Sequence, residues 1–230
     1  MYKMNPGRKI DVMGIINITD NSYYAESRCL DGSGNDDLGR IVSRAAKMIG
    51  DGATILDIGA CSTRSGSDPV GEDEECRRLE PALKAISVDT YWPSVVRRTF
   101  DTIGKFIVND VTAGEGMYDK SDEMLRTVAG LGLPFVAMHM RGNPKTMQSL
   151  TEYGNVTAEV LDYFRQFASK AEAAGVKDWI LDPGFGFAKT IEQNYQMLRE
   201  LDHFAELGKR ILVGMSRKSM IFRKFDITPE

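Results

Sequence analysis

The sequence predicts an α/β fold whose parallel strands and covering helices form an eight-unit barrel, (β/α)8, and three observations lead there. Short apolar runs alternate with longer segments of helical period along the chain, the rhythm of parallel strands joined by crossover helices. Polar residues follow almost every run: Asn17, the stretch 61–66, Asp89, Asn109, His139 with Arg141, Asp182, and Ser216 with Ser219. An open sheet concentrates its chemistry at one switch point, whereas a barrel gathers it from all its strand ends. Finally, no linker rich in Pro, Gly or Ser divides the seven units of about 30 residues, so residues 1–230 read as a single domain. Seven units leave a closed barrel one strand and one helix short.

The strands are expected at 11–18, 53–58, 86–89, 106–111, 134–138, 179–181 and 210–214. Between the first two, Leu38, Ile41, Val42, Ala45, Met48 and Ile49 share one helical face and are expected in the core, with Gly50 and Gly52 as the stop. Val160, Phe164, Phe167 and Ala171 repeat that pattern. Thr190 and Gln193 have the spacing of a capping box, opening a helix with Tyr195, Leu198, Leu201 and Phe204 inward and Gly208 after it.

Composition narrows the function classes. Hydrophobic residues make up 42% and charged residues 27% of the 230, ordinary for a globular chain. No run approaches the roughly 18 apolar residues of a spanning helix, so no membrane partner is expected. A net charge of -4, from 29 basic and 33 acidic residues, gives no reason to expect nucleic acid as a partner. Cys29, Cys61 and Cys76 are odd in number and lack metal-type spacing, which fits a reducing cytoplasm better than a disulfide scaffold. The N-terminus carries no signal-peptide pattern.

The strand ends hold the candidate chemistry. Asn17 closes an apolar run with an amide, an oxygen donor suited to a metal or a phosphate but also an ordinary turn residue. Asp57 sits inside an apolar strand, where a carboxylate is costly without partners, and is either a hydrogen-bond hub or a site group. After it, Ser62, Thr63 and Arg64 in a Gly-bounded loop could hold an anion. Asp89, Asn109 and Asp182 each place a compact polar group at the mouth of a strand, and together they suit a neutral heterocycle presenting ring N–H and amino donors. Ser216, Arg217, Lys218 and Ser219 follow Gly214 at the expected start of a helix. His203 reads as a surface or packing residue, and no Walker loop or dinucleotide fingerprint is present.

Taken together, Gly14-Ile-Ile-Asn17, Asp57-Ile-Gly59 with Ser62-Thr63-Arg64, Ser87-Val-Asp89-Thr90, Asn109-Asp110-Val111, Met138-His139-Met140-Arg141-Gly142, Leu181-Asp182-Pro-Gly-Phe-Gly-Phe187 and Gly214-Met-Ser216-Arg217-Lys218-Ser219 resemble the dihydropteroate synthase family, from about Asp11 to the last residue. The resemblance implies a TIM barrel that joins 4-aminobenzoate to 6-hydroxymethyl-7,8-dihydropterin pyrophosphate, releasing pyrophosphate with Mg2+ present. It implies that Asp89, Asn109, Met138, Asp182 and Lys218 hold the pterin and that Asn17 serves the metal and the pyrophosphate. Thr63, Arg64, Phe187 and Ser219 would border the leaving group and the aminobenzoate. Asn17, Arg64, Asp89 and Lys218 are the residues expected to act in the reaction, sulfonamides would occupy the aminobenzoate pocket, and a homodimer is implied.

The sequence departs from the family where Asp20-Asn21-Ser22-Tyr23-Tyr24 replaces a usual Pro-Asp-Ser-Phe-Ser run, and where Cys61 and Ser65 replace a common Glu and Pro. A corrinoid-dependent methyltransferase with a related barrel is the alternative enzyme, although methyl transfer has no pyrophosphate for Arg64 and the 216–219 cluster to hold. A pterin-binding protein without turnover is the non-enzyme alternative. The family's eighth strand carries an Arg and His motif not found here, and Lys84-Ala85 runs into the strand at Ile86 without turn residues. Both features lead to the expectation of a longer natural chain.

Overall fold

The computed structural model describes residues 10–18, 38–60, 71–79, 87–117, 121–216, 218–226 and 228. All seven expected strands form: β1 Met13–Asn17, β2 Ile55–Gly59, β3 Ser87–Asp89, β4 Ile107–Asp110, β5 Phe135–Met138, β6 Trp179–Asp182 and β7 Arg210–Ile211. They make one parallel sheet in the order β1-β2-β3-β4-β5-β6-β7. The helices between and after them are α1 Leu38–Gly50, α2 Glu72–Leu79, α3 Pro93–Ile103, α4 Glu123–Leu131, α5 Val156–Ala174, α6 Ile191–Arg199 and α7 Ser219–Phe225. The sheet is a part-barrel of the TIM type with its helices on one face. The junction before Ser87 lies outside the described residues.

Strand period assigns the two faces. Ile16, Ile58, Val88, Val108, Phe135, Ala137 and Leu181 are buried toward the helices, where they meet Val95, Val96, Leu125, Val128, Val160, Phe164 and Phe167. Trp179 closes the layer between α5 rings, stacked on Phe164 at 6.3 Å and edge-on to Phe167 at 5.0 Å. The opposite face carries Ile107, Val136 and Ile180, packed with Ile55 and Leu212 as an apolar plug. The polar strand ends sit on that same inner face.

Local signals explain the helix ends. Asn155 caps α5 by accepting from the Ala158 amide at 3.0 Å. The capping box forms as the spacing predicts, with Gln193 N–H donating to Thr190 Oγ1 at 3.2 Å and Thr190 N–H donating to Gln193 Oε1 at 2.8 Å. Val160, Phe164, Phe167 and Ala171 are all buried.

Three expectations need correction. Val42 and Ile49 are 56% and 58% exposed, because Ile41, Ala45 and Met48 already form a narrow stripe on α1 and the other two lie about 80 to 100° round the helix. The helix expected through Phe204 ends at Arg199 and continues as a 3-10 segment, Leu201–Leu207. A strict spacing of three, Leu201, Phe204, Leu207, matches that helix's three residues per turn. Strand β7 stops at Ile211 rather than Gly214, since its partner β6 runs into Pro183, which has no N–H for the ladder.

Candidate functional site

Register places the polar strand ends side by side. Asn17 pairs with Gly59, Gly59 with Asp89, and Asp89 with Asn109, so one row crosses four strands on the inner face. Gly59 keeps that row open, because a Cβ there would come within 3.1 Å of the Asp89 Cβ. Asp89 is half-buried and accepts no hydrogen bond among the described residues. Burial, and then the Asp57, Glu75 and Asp110 charges, push its pKa well above the usual carboxylate range.

Beneath the row, Asp57 is 3% exposed and its two oxygens are divided between two donors. Ser87 Oγ donates to Oδ1 at 2.7 Å and Asn109 Nδ2 donates to Oδ2 at 3.0 Å. Burial raises the Asp57 pKa, and these two hydrogen bonds pull it back. Asp57 is therefore a hydrogen-bond hub that reaches a strand-end side chain. Asp110 points to the other face, where it accepts from Thr112 N–H and Oγ1 and from Gly114 N–H; burial lifts its pKa to about 6.

Asp182 at the end of β6 accepts the Gly184 amide on Oδ1 at 2.8 Å, and its Oδ2 accepts no hydrogen bond among the described residues. Burial raises its pKa, opposed by that hydrogen bond and by the Lys218 and Lys189 charges. Lys218 precedes α7, and its ammonium lies 4.3 Å from the Phe187 ring centroid. Burial lowers the Lys218 pKa to about 8, with Asp182 opposing. Met138 and Phe187 join one apolar cluster with Tyr91, Val111, Met117 and Met140. Carboxylate and amide oxygens, one cation and an apolar cluster thus lie at the same end of the sheet, a set of groups suited to a flat heterocycle with a donor edge.

Residues 13–229 match the pterin binding enzyme family. The chain belongs to that family. Over 228 residues it is 40% identical to the dihydropteroate synthase of Escherichia coli, covering 95% of this chain and 77% of that protein. A crystal structure of the Yersinia pestis dihydropteroate synthase in a sulfonamide drug complex superposes with a TM-score of 0.83 at 34% identity, covering 95% of this chain and 79% of that one. The Thermus thermophilus dihydropteroate synthase in complex with 4-aminobenzoate superposes with a TM-score of 0.79 at 36% identity, covering 96% and 79%.

In this pterin-binding enzyme, Asn17, Asp89, Asn109, Met138, Asp182, Phe187 and Lys218 thus lie at one end of the sheet. Ser219 is half-buried in the first turn of α7, next to Lys218. Thr63, Arg64, Arg217 and the 20–24 segment lie outside the described residues. Arg141 turns away into the loop after β5, donating to Glu152 O at 2.5 Å and Glu159 Oε2 at 2.6 Å with its guanidinium over Tyr153. It borders a neighbouring cavity of about 740 Å3 lined by Val111, Thr112, Met117, His139 and Tyr163. His203 is exposed, as expected.

Sequence reasoning missed Lys189. It is 4% exposed, and its ammonium reaches His139 Nδ1 at 3.0 Å, Phe187 O at 3.0 Å and Gly184 O at 3.1 Å. The lysine thereby ties the loop carrying Asp182 and Phe187 to the end of β5. Burial lowers its pKa to about 7, and burial together with the Lys189 and Arg141 charges holds His139 well below the usual imidazole range. Gly184 completes the seam: its φ is +72°, and a Cβ there would lie 2.0 Å from His139 O. A lysine that follows a glycine-rich turn into a helix, as in 182–190, ordinarily lies in solvent, so the sequence carries no sign that this one is buried.

Proposed function

We infer that this chain is a dihydropteroate synthase, joining 4-aminobenzoate to 6-hydroxymethyl-7,8-dihydropterin diphosphate. The observation that carries the reading is the set of acceptors at the ends of β3, β4 and β6, with Lys218 beside Asp182 and Phe187, in a chain of the pterin-binding family. Asp89, Asn109 Oδ1 and Asp182 Oδ2 take the N–H donors of the pterin, Lys218 donates to its carbonyl oxygen, and Met138 and Phe187 enclose its ring. Such a slot rejects analogues without the matching donors, because its own groups would then be buried unpaired.

The amine nitrogen of 4-aminobenzoate attacks the pterin methylene carbon, the carbon–oxygen bond to diphosphate breaks with its electron pair going to that oxygen, and the new secondary amine loses a proton to water. An aromatic amine needs no strong base for this attack. Asp89 and Asp182 favour positive character on the pterin as the bond loosens. By the same reading Thr63, Arg64, Phe187 and Ser219 would together border the departing diphosphate and the aminobenzoate, and the aminobenzoate pocket would take sulfonamides.

The residues present fit Mg2+. Asn17 ends β1 half-buried, with its side-chain amide free of hydrogen bonds among the described residues; Mg2+ takes oxygen ligands and usually keeps several waters beside substrate phosphates, so the amide oxygen would be one such ligand. Bound there, the ion would neutralise charge on the leaving diphosphate. No group of three or more His, Cys, Asp or Glu that could hold a metal occurs among the described residues. We further propose a single-domain enzyme acting in the cytoplasm as a homodimer. Among the described residues, no helix is long and apolar enough to cross a membrane.

The deciding experiment measures diphosphate release from the pterin diphosphate with and without 4-aminobenzoate. Release that depends on the amine and yields dihydropteroate is expected. Absence of release, or release indifferent to the amine, overturns the reading.

A further inference from the structure

The hydrogen bonds behind Asn109 carry an inference that rests on the reading of this site as a pterin slot. A terminal amide fits its space in two orientations of nearly equal shape, presenting either its NH2 or its carbonyl oxygen to a ligand. Here the choice is made from below. An ionised carboxylate only accepts, so Asp57 Oδ2 at 3.0 Å requires the amide nitrogen, and Ser87 Oγ, donating at 2.7 Å to Oδ1, keeps the carboxylate from rotating. Asp57 and Ser87 are 3% and 0% exposed, which leaves little water to compete for either bond. The remaining atom, Asn109 Oδ1, accepts nothing among the described residues.

We propose that Asp57 is a positioning residue that turns the Asn109 carbonyl oxygen toward the ligand and thereby makes this part of the slot read a hydrogen-bond donor. Beside Asp89 and Asp182, the Asn109 oxygen completes an all-acceptor edge, complementary to adjacent amino and ring N–H groups on a 2-amino-4-oxopyrimidine. Reversing the amide would place two donors face to face and destroy that complementarity without changing the shape of the slot.

The test is titration calorimetry of the full chain with pterin and with an analogue lacking the 2-amino group. Asn109→Ala is expected to weaken pterin binding about tenfold or more; unchanged binding in that variant overturns the pterin reading of the slot, and this proposal with it. Asp57→Asn, nearly identical in shape, is expected to weaken pterin about tenfold and to narrow its preference over the analogue, because the new amide donor forces Asn109 to turn. The exchange Asp57→Asn with Asn109→Asp should restore binding to within about threefold, since residue 57 then donates and a carboxylate oxygen again faces the ligand. If Asn109→Ala loses affinity while a folded Asp57→Asn keeps both affinity and selectivity, the proposal fails and the slot reading stands; a folded exchange variant without recovery has the same meaning. Where Asp57→Asn does not fold, the side-chain NH2 resonances of Asn109 decide in the unmutated protein. Slow hydrogen exchange and no contact with bound pterin are expected, and magnetisation transfer from those protons to the ligand overturns the proposal.

Discussion

The ammonium of Lys218 and the ring of Phe187 face each other at 4.3 Å, so the loop after β6 and the segment before α7 meet at a cation and an aromatic face. The contact shapes one wall of the slot and sets the electrostatics there. Burial lowers the Lys218 pKa to about 8, and Asp182 opposes the shift. The cation therefore predominates below about pH 8 and is lost above it. Pterin affinity should fall as pH rises through that value, by up to about tenfold, as a charge-assisted hydrogen bond becomes a neutral one. Lys218→Arg, which stays charged, should abolish the basic limb even if its absolute affinity is lower. Phe187→Leu should cost roughly 0.5–2 kcal/mol of the contact. Calorimetry across the pH range reads all three.

Asp182→Ala should weaken pterin binding by roughly 1–3 kcal/mol, because it removes a ligand acceptor and the partner of the Gly184 amide together. Unchanged affinity in a folded variant would show that the β6 end does not touch the pterin.

Lys189 should make the stability of the protein rise with pH. Burial lowers its pKa from 10.5 to about 7, so the folded state binds this proton less tightly than the unfolded state. Between those two values the unfolded chain holds more protons, and stability increases with pH across that interval. Lys189→Met should flatten this component while leaving carbonyls of the loop without their donor, at a cost of roughly 1–3 kcal/mol. Urea melts of both proteins at a series of pH values separate the two effects.

Gly184→Ala should be among the most damaging single-methyl changes in the chain. The added carbon would lie 2.0 Å from the His139 carbonyl oxygen at a φ of +72°, where an alanine is strained in any case. A loss of stability of several kcal/mol, or failure to accumulate as folded protein, is expected. A melting temperature within about a degree of the parent would show that the seam can open without penalty.

The strands were legible because almost every one is a short apolar run followed by a polar residue, and the strand-end site was legible because Asp89, Asn109 and Asp182 all obey that rule. Residues supporting the row were harder to read. Asp57 could be a hub or a site group until its two donors were located, and Lys189 gave no sign of burial, since a lysine normally lies in solvent. Val42 and Ile49 misled for a geometric reason: hydrophobicity says which side chains could be buried, whereas the width of the contact with β1 decides which are. Leu201, Phe204 and Leu207 continue the spacing of three that Tyr195 and Leu198 already show within α6, so the spacing did not separate the 3-10 segment from the α-helix expected to run on through Phe204.

The unbroken strand order, from β1 through β7 without an exchange, has a consequence for how the molecule assembles. Among the seven described strands, each from β2 onward pairs with the strand made just before it and waits for no distant stretch of chain. Loop closure is then a series of short steps, which favours rapid search over one that must bring remote segments together. On a ribosome the sheet can widen one unit at a time, with each helix covering newly formed apolar surface soon after it emerges. The slot ripens last: Asp182 and Lys218 arrive only with the sixth strand and the segment after the seventh, when Asp89 and Asn109 are already in place.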